Sequence, residues 1–153
     1  MNAKQAFILL EKFESKMADL YRVYSEHYAT DAEASALFFR MSLEEKNHMN
    51  VISYQKRVVN QNPKLFGEVE LDAEGIQEEI AVVEALAKVR VTPPVDEALR
   101  TALELENGAA ERHFRLAAIQ ANPEAAKHLM SLGTADKQHY DTLKAFARKR
   151  GIL

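Results

Sequence analysis

Two stretches of the chain place an acid three residues before a histidine: Glu45-Lys46-Asn47-His48 and Asp136-Lys137-Gln138-His139. Residues three apart share one face of an α-helix, so a carboxylate and an imidazole at that spacing can reach the same ion. Two more acids, Glu14 and Glu106, stand among apolar residues at helical spacing. The chemistry open to this set is metal ligation. An acid-x-x-His step alone is a weak signal, because many helices carry Glu and His on a wet face. The face these residues occupy therefore decides their meaning.

The apolar residues recur every three or four positions, the period of an amphipathic helix. In the first long helix the stripe reads Phe7, Leu10, Met17, Tyr21, Tyr24 and Tyr28, and Glu14 fills the step between Leu10 and Met17. The second runs Ala34, Phe38, Met41, Glu45, His48, Ile52. The third runs Val95, Leu99, Ala102, Glu106, Ala109, His113, and the fourth Ala125, Leu129, Leu132, Asp136, His139, Leu143, Phe146. Each long helix thus interrupts its core stripe with polar residues near its middle. Glu11, Glu44, Glu104 and Glu111 fall off the stripes and are expected in solvent.

Four carboxylates and two imidazoles in a helical core cannot stay charged and unpaired. Isolated buried ions are costly, and packed like charges raise one another's pKa. Protonation neutralises some of them. A pair of divalent metals does more, turning each carboxylate into a ligand and using one nitrogen of each imidazole. The competing reading is a degenerate core whose buried polar groups bond one another.

The elements that must position these residues are marked by turns. Gly and Pro cluster in "NQNPKLFGEVELDAEG" and "VTPPVDEA", and "YATDAEAS" and "ANPEAA" supply Asp31 and Asn122 as N-caps, with Pro123 at the first helical position. Long helices are expected at about 3–28, 32–60, 95–121 and 123–149, with a shorter one at about 72–89. The short loops make antiparallel pairs. The connector from Asn60 to Val95 is long enough to run back over a helix of roughly 28 residues, about 42 Å. The fold class expected is all-α, a four-helix bundle with one long crossover containing a short helix, as a single domain over residues 1–153.

The formal charge of −3, spread over interspersed acids and bases, gives no basic block for nucleic acid. With no cysteine, disulfides, thiolate metal sites and a cysteine nucleophile are excluded. The N-terminal apolar run is too short and too quickly charged for a signal peptide or a membrane span, so a cytoplasmic protein without membrane contact is the expectation.

Taken together these residues resemble the ferritin-like di-iron superfamily, and most closely the rubrerythrin di-iron domain. The resemblance rests on Glu14 with Tyr21 seven residues on, Glu45-x-x-His48, Glu106 within "ALELENGAAERHF", and Asp136-x-x-His139, and it spans the long helices and the crossover. It implies Glu14 and Glu106 as terminal ligands, Glu45 and Asp136 as bridges, and His48 and His139 as caps on two metal ions, iron first and manganese as the alternative. Tyr21 is a candidate for bonding a ligand carboxylate from outside, with aromatic core packing as its other reading, and His113 for such a partner, an extra ligand or a proton relay, with a satisfied core histidine as its other reading. Three departures from the family stand out. Asp136 replaces a Glu, Ala109 stands where rubrerythrins carry a further Glu, and His113 replaces a frequent Tyr.

The function this implies is a di-iron oxidoreductase, a ferroxidase or peroxidase acting on dioxygen or hydrogen peroxide. Ala109 favours the oxidase form, and the lack of rubrerythrin's cysteine-rich domain calls for an external electron donor. The alternatives are a non-catalytic metal-binding or iron-handling bundle and a metal-free helical scaffold. A homodimer is expected through an apolar flank containing Phe39 or Leu65-Phe66. Gly108 and Gly133 allow either close helix packing or space for a small oxidant.

Overall fold

Capping residues set where the helices begin. In the computed structural model, which describes residues 2–65, 68–119 and 122–153, α1 (Ala3–His27) opens on a capping box between Asn2 and Gln5. Asp31 caps α2 (Ala32–Gln61) by accepting from the Ala34 amide at 3.2 Å. Asp72 does the same for α3 (Ala73–Ala87) through Gly75, at 2.9 Å. Asn122 caps α5 (Pro123–Lys149) through Ala125, and Pro123 takes the first turn, where its missing N–H costs nothing. Between them lies α4 (Val95–Ile119). The expected boundaries hold within about two residues; the last two residues expected in the third long helix, Gln120 and Ala121, lie outside the described residues.

The helices fall into two units, divided between Thr92 and Pro93. In the first, α1 and α2 form an antiparallel hairpin. Ser25 donates its hydroxyl to the Ser35 carbonyl and Ser35 donates to that of Ser25, each at 2.8 Å, fastening the helices beside the turn. Near the open end Lys56 pairs with Glu11 at 2.9 Å. Glu11 is thus half-buried and paired rather than solvated, because it lies where α2 passes α1. Next to the turn the Phe38 ring is enclosed by Tyr21, Tyr24 and Tyr28, with centroids 6.0, 5.1 and 6.0 Å away. Burying a ring such as Phe38 contributes roughly 1.5–3 kcal/mol.

The crossover belongs to the same unit. After a 3-10 turn at Pro63–Leu65, Glu68 bridges to Asn2, and farther on Glu84 of α3 lies 3.6 Å from Lys16 of α1. The chain therefore travels back alongside α1 in the direction of α1, burying Ile76, Ile80 and Val83. This is the return run that the connector length anticipates.

In the second unit α4 and α5 are antiparallel, since Glu106 meets His139 and His113 meets Asp136. A Cβ placed on Gly133 would lie 2.7 Å from the Phe114 ring, so the glycine lets α4 approach α5. That favours helix packing over substrate space at Gly133. Past Arg150, Gly151 takes φ +72°. The Ile152 and Gly151 amides then bond the Ala147 and Arg148 carbonyls at 2.9 and 3.0 Å, a Schellman stop.

The stripe residues are buried except Val95 and Phe146, which are half-buried. Phe39 is exposed on α2, while Phe66 lies outside the described residues. Among the described residues no helix is long and apolar enough to cross a membrane.

Candidate metal centre

Each hairpin brings one lone glutamate opposite an acid-x-x-His step. In the first, antiparallel packing sets Glu14 of α1 against Glu45 and His48 of α2, all three buried. His48 turns Nδ1 toward both acids, 3.3 Å from Glu45 Oε2 and 3.7 Å from Glu14 Oε2. The one-face stacking expected of the i, i+3 spacing is thus realised, and the second helix adds the other acid.

The second hairpin places Glu106 of α4 against Asp136 and His139 of α5, again buried. His139 also uses Nδ1, at 3.6 Å from Glu106 Oε2. Here the symmetry ends, because Asp136 Oδ2 is in hydrogen-bond contact with Nδ1 of His113, a residue with 0% exposure. With Asp136 ionised, that nitrogen carries the proton and donates it.

The donors fit a hard or borderline divalent metal. Each half supplies two carboxylates and an imidazole nitrogen turned toward carboxylate oxygen, with no thiolate to favour a soft ion. Burying a carboxylate costs several kcal/mol unless a cation or hydrogen bonds compensate, so acids in this density need neutralising. Glu14, Glu45, His48, Glu106, Asp136 and His139 are all available as ligands by type and burial.

The remaining candidates sort by contact. Tyr21 is buried and stacks on Phe38, so aromatic packing accounts for its ring. Ala109 is buried on the same stripe as Glu106 and offers no donor. Glu104 and Glu111 are exposed as expected, whereas Glu44 is half-buried with Arg40 at 3.8 Å. For His113 the sequence left a partner of the ligands and a satisfied core histidine both open, and the structure sets its Nδ1 on Asp136. The signal lay in the spacing: His113 follows Glu106 by two helical turns on the core face, opposite an acid one methylene shorter than Glu.

The Rubrerythrin family matches this chain over residues 11–147. No curated protein and no solved structure matches it. All six candidate ligands fall within the matched span, which covers most of the sequence, and the chain belongs to the rubrerythrin family of ferritin-like helical proteins.

Proposed function

We propose that the chain holds two metal ions, iron first and manganese as the alternative, and that the loaded protein is an oxidoreductase of the ferroxidase or peroxidase type. The observation that carries this is the repeated pairing, in a member of the rubrerythrin family, of a buried histidine Nδ1 with a buried glutamate. Two adjacent redox ions would supply two electrons to one molecule of dioxygen or hydrogen peroxide.

The chain's own part is to hold and shield. Glu14 and Glu106 act as terminal ligands, His48 and His139 as caps, and Glu45 as a bridge between the ions. Burial of these donors keeps bulk water from competing for the ions. Ala109 leaves the second half one carboxylate short of the family pattern, which favours oxidase or ferroxidase turnover over peroxidase. An external donor returns the electrons, and Phe39 with Leu43, exposed four residues apart on α2, is the proposed homodimer flank.

Anaerobic loading with Fe(II) followed by exposure to air tests the proposal. Rapid oxidation in step with two irons per chain is the expected result. Binding without oxidation would make the protein an iron-handling bundle, and no binding would make it a scaffold.

A further inference from the structure

The feature that the proposed function leaves unused is the contact between His113 and Asp136. A bridging carboxylate turns one oxygen to each of two ions. Oδ2 of Asp136 instead faces Nδ1 of His113 across the α4–α5 hairpin, and both residues are almost wholly buried. Aspartate lacks the last methylene of glutamate, so its carboxylate stays close to α5, within reach of an imidazole on α4. In the first hairpin the matching position, seven residues after the lone glutamate, is Tyr21, whose ring is stacked on Phe38.

We propose that His113 is a positioning residue that commits Asp136 to a single metal ion, its Nδ1–H holding Oδ2 and leaving Oδ1 to ligate. This rests on the dimetal reading above and departs from the bridging role that the family resemblance implies for Asp136. Glu45 is then the bridging acid, and the ion that Asp136 ligates is held more weakly than the other. Partners that orient a ligand from outside typically change metal affinity about 10–100-fold when removed.

The experiment is a calorimetric titration of the full chain with Mn(II), with melting curves of the metal-free proteins to verify folding. The parent is expected to take up two ions in two steps. His113→Leu should weaken the second step by about 10–100-fold and leave the first within about twofold. His113→Asn, whose amide N–H can stand where Nδ1–H stands, should recover most of that loss. In an Asp136→Ala background His113→Leu should change nothing further, because its effect runs through the missing carboxylate.

Asp136→Glu tests the same point without touching His113. If Asp136 bridges, the added methylene should bring the two affinities together. If His113 holds it, the longer side chain is driven past the imidazole and the affinities stay apart or separate further. Convergence in Asp136→Glu, unchanged binding in folded His113→Leu, or an undiminished His113→Leu effect without Asp136 would each overturn the inference. A parent chain that binds no Mn(II) and no Fe(II) would instead defeat the dimetal reading on which it rests.

Discussion

Seven residues after its lone glutamate, α1 carries Tyr21 and α4 carries His113, and the two hairpins diverge from that position. In the first, the tyrosine stacks on Phe38 inside an aromatic cluster, while His48 faces both Glu14 and Glu45. In the second, the imidazole engages Asp136, and His139 faces Glu106. The side chains that make up each half-site have nearly the same types and the same helical phase. What differs is the next layer: an aromatic cluster in one hairpin, an imidazole beside a glycine-spaced helix contact in the other. Repeating an acid-x-x-His step therefore does not repeat its surroundings, since the residue behind it decides which carboxylate oxygens are already engaged.

The largest expected contrast is in metal content. If Glu45 bridges the two ions as proposed, Glu45→Ala should abolish binding of both, whereas Asp136→Ala should spare one. Elemental analysis of the purified variants reads this directly, and full metal content in Glu45→Ala would remove the asymmetry between the hairpins. Next comes stability. At metal concentrations about 1,000 times a site's Kd, each filled site adds about 4 kcal/mol by mass action. The metal-loaded protein should accordingly melt well above the metal-free one. Equal melting temperatures at saturating metal would indicate a scaffold with no functional ion.

A smaller effect separates the two hairpin interfaces. Gly133→Ala should cost about 1–3 kcal/mol in chemical denaturation, because the new methyl meets the Phe114 ring, and Phe114→Leu in the same chain should recover part of it. An unchanged midpoint would show that the ring swings aside freely. At the turn of the first hairpin, Ser25→Ala removes one of the two reciprocal hydrogen bonds and should cost about 1 kcal/mol. The least effect belongs to Glu44→Ala. Glu44 neighbours Glu45 but points about 100° away round the helix, so metal content should stay at the parent value.

Much of the molecule is legible in the sequence alone. Helix starts at Asp31 and Asn122 were readable because an N-cap and its target amide lie within three residues. The six candidate ligands stood out because an acid on an apolar stripe breaks a short-range period. Less was readable at Glu11, whose paired, half-buried state depends on Lys56, distant in the chain and brought close only by the hairpin. Phe146 shows the same limit, since it lies in phase with the stripe but past its well-covered part, with Arg150 resting 4.5 Å over its ring.

By itself, then, the sequence determined the all-α class, the helix limits, the long return run after α2 and the identity of the metal-binding candidates. These follow from caps, periodicity and connector length, all interactions or counts within a few turns of chain. Only the tertiary structure decided that Gly133 serves to admit Phe114, that Tyr21 packs on Phe38, and that His113 holds Asp136. Each of those pairs a residue on one helix with a residue on another, and helical phase fixes the face a side chain occupies but not the partner it meets there. That partner is set by how far two helices approach and how they slide, which for α4 and α5 turns on the missing Cβ of Gly133 and the short side chain of Asp136.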